Sequence, residues 1–338
     1  MSGIALVALV AIGTTITALG GVPLRKTPGG DTFASIAQIE RNLSPNPGLG
    51  FKCADDELVL SQECRTGAKP TVALWGDSYA MHLAQALAAG STQLDFIQLT
   101  VSSCGPFPGL VVRTDDTFWK DCMAFNDDAL NWIINDDHIT TVILSAAFLP
   151  LQHDLFSRDG STIAIDEVQH TLAQNLLTTA RYLRDNNKQA IIVSAPPQSG
   201  LSIGRCFISQ KSLGLPTEAC NFDLAELTKR NQQINAILQK LEPEFPVIWL
   251  SDYICPDGKC RTSIDGISVY RDSGHLSKKG SHILGSNPSR ALVLFPPVIN
   301  LVFHSVKTFS ITIFNKIGIV SMHTLHPPRM FDRTPVFL

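Results

Sequence analysis

The chain has no excess of positive charge. Its 338 residues carry 27 Lys and Arg against 30 Asp and Glu, a formal net charge of −3. Without a basic stripe to displace counterions from phosphates, nothing points to a nucleic-acid partner. No Cys-x-x-Cys pair occurs, and His82, His138, His153, His170 and His282 show no ligand spacing with acidic residues. That argues against a structural zinc site, and no metal is expected. There is no glycine-rich phosphate loop, no internal repeat and no low-complexity tract. Nor does any basic residue precede the first apolar run, as it normally does in a secretory signal peptide.

What is present begins with eight cysteines. They fall into sequential couples, Cys53 with Cys64, Cys104 with Cys122, Cys206 with Cys220 and Cys255 with Cys260, and proximity alone suggests that pairing. An even number scattered through loops suits an oxidising compartment; free buried thiols are the alternative. Residues 3 to 24 form an uncharged, strongly apolar run followed by Arg25 and Lys26. About twenty such residues suffice to span a bilayer, so residues 1–26 are expected to form a transmembrane helix. The two basic residues after it would favour the cytoplasm by the positive-inside rule, against the vote of the cysteines. Residues 27–50, rich in Pro, Gly, Ser and Asn, are expected to form a linker, with one short helix over Ser35–Arg41.

From there strands and helices alternate. Apolar strands are expected at Val72–Trp75, Leu94–Val101, Thr141–Phe148, Ala190–Ser194 and Val247–Leu250. Helices are expected at Ala80–Ala89, Phe125–Ile134, Ile165–Arg184, Leu224–Leu241 and from Ser277 to Leu284. A loop is expected to carry Cys206 and Cys220. Repeated βαβ units imply a parallel sheet covered on both faces. From residue 286 the character changes. Apolar stretches broken by Pro296-Pro297 lead into an aperiodic tail, so 286–338 is expected to be atypical, a foreign or frameshifted terminus.

The stretch with the most chemical content is Trp75-Gly-Asp-Ser-Tyr79. A buried strand ends at Gly76, and Ser78 stands where a helix begins, at the carboxyl edge of the sheet. Taken by itself, Ser78 reads first as a helix cap. Almost two hundred residues later, Asp272-Ser-Gly-His275 supplies what a nucleophilic serine needs: a base, and a carboxylate to orient that base.

Gly76-Asp77-Ser78 followed late by Asp272-x-x-His275 resembles the SGNH/GDSL hydrolase superfamily. Trp75-Gly-Asp-Ser-Tyr79, Ser103-Cys-Gly-Pro106 and Tyr270-Arg-Asp-x-x-His-Leu-Ser277 resemble in particular the SGNH domain fused to membrane acyltransferases of the acyltransferase-3 type. The resemblance extends over about residues 40 to 285. It implies a three-layer α/β/α, flavodoxin-like fold with a parallel sheet of about five strands, here over residues 51–285. It makes Ser78, His275 and Asp272 a catalytic triad, with the Ser78 N–H and Gly105 in the oxyanion hole. The superfamily's further asparagine, after the third strand, has no counterpart in Ser145-Ala-Ala-Phe148. Residues 1–26 would then be the last helix of a truncated membrane module.

The function implied is transfer of an acetyl group to hydroxyls of a bacterial surface glycan such as an O-antigen. The domain would face the periplasm from the inner membrane. No cofactor would be bound; acetyl-CoA would be the ultimate donor, through a membrane acyltransferase module absent from this chain. A glycan O-acetylesterase and a catalytically silent glycan-binding domain are the alternatives.

Overall fold

Five runs of apolar residues pair into one parallel sheet. The computed structural model of the chain describes residues 3–18, 25–90, 94–112, 118–149 and 155–286. The strands are β1 (Val72–Gly76), β2 (Phe96–Thr100), β3 (Thr141–Ser145), β4 (Gln189–Val193) and β5 (Val247–Ile248). They lie in the order β2-β1-β3-β4-β5, each neighbouring pair parallel. Every residue of β1, β2 and β3 is buried, as strands covered on both faces must be. The order is flavodoxin-like, and it changes direction between β1 and β3, where open α/β sheets bind their ligands.

In chain order the helices are α1 (Gly3–Ala18), α2 (Phe33–Asn42), α3 (Ser78–Met81), α4 (Ala84–Gly90), α5 (Phe118–Asn135), α6 (Val168–Asp185), α7 (Ile203–Leu213), α8 (Lys229–Leu238), α9 (Leu250–Ile254) and α10 (Lys278–Ser286). Alternate strand residues point to opposite faces and so build two separate cores. Ala73, Trp75, Ile97, Leu99, Val142 and Leu144 pack with Phe125 and Ile133 of α5, Leu176 and Leu183 of α6, and Ile234 and Leu238 of α8. On the other face Val72, Leu74, Phe96, Ile143 and Val193 meet Leu87 of α4, Ile203 of α7, Leu250 and Ile254 of α9, and Leu284 of α10. The result is the three-layer α/β/α arrangement expected from the sequence.

All eight cysteines are paired in their sequential couples: Cys53–Cys64, Cys104–Cys122, Cys206–Cys220 and Cys255–Cys260.

Two expectations are corrected, and that of a transmembrane helix over residues 1–26 reaches beyond the described residues. The helix in the N-terminal apolar run covers 16 residues and buries none of them. Among the described residues no helix is long and apolar enough to cross a membrane, and residues 19–24 of the expected span lie outside them. The expected linker 27–50 is instead folded onto the domain. Thr32 caps α2 by accepting the Ser35 N–H, Ile36 is buried, and the Gly29 N–H donates to the Ser212 carbonyl in the last turn of α7. Further along, Leu49 N–H donates to the buried Gln98 side chain, whose amide donates to the carbonyls of Pro47 and Cys53. The second correction is that Cys206 lies on α7 rather than in a loop, with Ile203 and Phe207 buried one turn apart. The tail expected over 286–338 lies outside the described residues except for Ser286.

Candidate active site

β1 ends at Gly76 because nothing larger fits: a Cβ there would overlap the Ser145 carbonyl of β3. Asp77 follows as the N-cap of α3. One of its oxygens accepts the Tyr79 N–H at 2.8 Å, and the other accepts the Ala147 N–H at 2.9 Å. It therefore ties the turn after β1 to the turn after β3, across the point where the strand order reverses. Burial pushes the Asp77 carboxyl above its ordinary range, working against the two N–H donors.

Ser78 opens α3, and its Oγ lies 2.9 Å from Nε2 of His275. His275 Nδ1 lies 2.9 Å and 3.2 Å from the two oxygens of Asp272. A carboxylate facing Nδ1 holds the proton there and leaves Nε2 to accept from the serine hydroxyl. Burial alone would push the Asp272 carboxyl up. The hydrogen bond and charge of His275, with the His275 and Gly274 N–H groups, outweigh it and hold the carboxyl well below the usual carboxylate range. Arg271 adds its Nε–H at 3.0 Å.

The loop carrying these residues is fixed at several points. Tyr270 donates its hydroxyl to the Pro197 carbonyl, Ser277 receives the Gly280 N–H at the start of α10, and the Leu276 N–H donates to Nδ1 of His82. The Tyr79 ring packs against His275 with 4.6 Å between centroids. The structure thus brings together Ser78, His275 and Asp272, which are distant in sequence.

Gly105 lines the same cavity as Ser78 and His275, a space of about 180 Å³ walled also by Phe107, Phe148, Leu149 and Leu172. A Cβ at Gly105 would run into the Phe107 ring, which is why this position needs glycine. Its carbonyl accepts from Asn126 Nδ2 at 2.9 Å, while the Asn126 oxygen accepts from Trp75 Nε1 at 2.9 Å. Asn126, fully buried on α5, thereby links β1 to the Gly105 loop, and Cys104–Cys122 pins that loop to the same helix. After β3 no asparagine appears, and Phe148 is buried with φ of 54°. A bulky residue in that region is strained unless its surroundings hold it. Arg230 of α8 does so, its Nη2 donating to the carbonyls of Ala147 and Leu149 on either side.

Sequence reasoning missed Asn126, Arg230 and the loop at Pro45–Pro47. A polar residue at a core-facing position of α5 was the one available signal for Asn126. Among the described residues no group of three or more His, Cys, Asp or Glu is placed to hold a metal ion.

Among solved structures, the periplasmic domain of a lipopolysaccharide acetyltransferase from Salmonella ser. Paratyphi A is similar. It has a TM-score of 0.52 and 17% identity, covering 77% of this chain and 95% of that one. At such identity the likeness shows the fold. No curated protein matches significantly. Over residues 52–287 the sequence matches the family described as "SGNH domain (fused to AT3 domains)". The chain, with its serine after β1 and its Asp-x-x-His loop before α10, belongs to that family.

Proposed function

We propose that this chain transfers an acyl group, most simply acetyl, through Ser78 to a hydroxyl of a cell-envelope glycan. The observation that carries the reading is the relay of contacts Ser78 Oγ–His275 Nε2–Asp272, each 2.9 Å. In this reading His275 takes the hydroxyl proton as Ser78 Oγ attacks the acyl carbonyl, and Asp272 balances the imidazolium. The Ser78 and Gly105 N–H groups face the developing oxyanion, each donor worth a few kcal/mol in such sites. The proton then returns to the leaving group, and the glycan hydroxyl repeats the sequence in reverse on the acyl-serine. Hydrolysis of the same intermediate would make the enzyme an esterase.

The family description supports a membrane acyltransferase module as partner; acetyl-CoA as the ultimate donor is part of the same proposal. Four disulfides, and a structural neighbour that is a periplasmic domain, support an extracytoplasmic location facing the periplasm.

The test is labelling of the oxidised chain with a serine-directed fluorophosphonate, read by intact mass. One adduct is expected on the unaltered chain and none on Ser78→Ala. His275→Ala and Asp272→Asn should label at rates lower by about 10³-fold or more. Equal labelling of the unaltered chain and His275→Ala would defeat the proposal.

A further inference from the structure

Ser78 and His275 also border a second space, on the side of the domain built by residues 45–54. It encloses about 160 Å³, and its walls include Asn46, Met81, His82, Ser102 and Arg271. Two of these side chains are buried and carry an N–H that no described residue accepts. Asn46 is 6% exposed; its oxygen is taken by the Gly48 N–H, and its Nδ2 has no partner. His82 is 1% exposed; its Nδ1 accepts from the Leu276 N–H, which leaves the ring proton on Nε2, also without a partner. Buried donors left without an acceptor are costly, and two of them stand at this one cavity. Arg271 brings a positive charge to the same wall, and no carboxylate is among its described lining residues.

The unpartnered buried groups of this wall, Asn46 Nδ2 and His82 Nε2, are both donors. What complements them is a group that only accepts, and beside a guanidinium that favours an oxyanion. Arg271 donates its Nε–H to Asp272, yet Asp272 is itself engaged by His275 and two backbone N–H groups. It is therefore not a counter-ion for Arg271 alone.

A separate observation extends the surface. Through Pro45 this space adjoins a larger groove of about 510 Å³, walled by Arg41, Lys278, Lys279 and His282. The lining of the groove holds no Asp or Glu among the described residues, and none of its three Lys and Arg side chains forms an ion pair there. In a chain of net charge −3, a cationic track leading from the candidate nucleophile is a local arrangement against the overall sign.

We infer that the acceptor is an anionic glycan. One of its charged oxygen groups sits among Asn46, His82 and Arg271 beside Ser78, and its neighbouring charges run along the Arg41, Lys278 and Lys279 groove. The inference deepens the acyl-transfer reading and rests on it only for calling this ligand the acceptor. A uronic-acid carboxylate and a sugar phosphodiester share the required chemistry.

The experiment measures binding to the full oxidised chain and to Ser78→Ala by titration calorimetry at low salt, so that turnover is not needed for a signal. The probes are a galacturonic-acid oligomer, its methyl ester, a glycerol-phosphate oligomer and a neutral glucan oligomer of equal length. At least one acidic oligomer should bind about tenfold or more tightly than the neutral ones. Whichever acid wins identifies the source of the charge. The exposed double variant Lys278→Gln/Lys279→Gln should weaken that binding several-fold, and Arg271→Gln should abolish the preference over the ester. Equal affinity for acid, ester and glucan, or no binding by any, overturns the inference, and the cavity then holds solvent only. Because fluorophosphonate labelling of Ser78 is scored separately, loss of charge preference with labelling intact counts against this inference alone. Preference without labelling counts against the catalytic reading.

Discussion

At the scale of single residues the site is framed by buried polar groups. His82 shows the consequence for pH. Burial, reinforced by the charges of His275 and Arg271 and opposed by Asp272, lowers its pKa well below the ordinary value. The folded chain therefore refuses a proton that the unfolded chain takes up near pH 6.5, the usual histidine value. Below that pH the unfolded state binds more protons, so stability rises with pH through this window and is lost as pH falls beneath it. The expected outcome is a lower urea midpoint at pH 5.5 than at pH 7.5, with the decline reduced in His82→Gln. Glutamine can still accept the Leu276 N–H and does not titrate. Identical declines in both proteins would show that His82 is not the group responsible.

At the scale of elements, the parallel sheet was legible because β1 to β4 are runs of apolar residues that have to be buried on both faces, a pattern that survives without tertiary information. Helix α6 was legible for a related reason, its apolar residues recurring at about 3.6 positions. Ser78, Asp272 and His275 were legible as two short motifs, although only the fold could bring Ser78 and His275 together. What was not legible depended on partners remote in sequence. Residues 27–50 read as a linker because Pro, Gly, Ser and Asn weaken local structure. Nothing within the segment announces that Ile36 packs into the domain or that Gln98, some fifty positions on, collects its carbonyls. Asn126 and Arg230 escaped for the same reason, since their roles lie in hydrogen bonds to Gly105, Ala147 and Leu149.

The packing of α2 has a measurable consequence. A chain beginning at Arg25 should keep the stability of the full chain, whereas one beginning at Leu43 loses the burial of Ile36 and the Gly29–Ser212 bond. That loss should amount to about 2–5 kcal/mol, the range for deleting a buried aliphatic side chain. Urea unfolding of the two truncations decides it, and coincident curves would restore the linker description.

At the scale of the whole molecule, two spaces open on either side of one serine. The apolar cavity holds Gly105, Phe107, Phe148 and Leu172, and the donor-lined one holds Asn46, His82 and Arg271. A hydrolase needs room for one substrate and a water. A transferase must seat an acyl group and a second hydroxyl against the same Ser78 Oγ, and a separate compartment for each does this without either displacing the other. If the apolar side keeps the acyl chain and its carbonyl at Gly105, the acyl-serine remains open to attack only from the donor-lined side. Water there competes with whatever the polar wall holds. The partition of the acyl-enzyme should then depend on occupancy of that side. With p-nitrophenyl acetate as donor, adding an acceptor oligosaccharide that the chain binds should raise nitrophenol release and divert acetyl from acetate to the sugar, in proportion to bound acceptor. Asn46→Ala should restore acetate as the main product while leaving the rate of the first nitrophenol burst within about twofold, because acylation uses the other compartment. An unchanged acetate yield at saturating acceptor would show that the two spaces do not divide the reaction in this way.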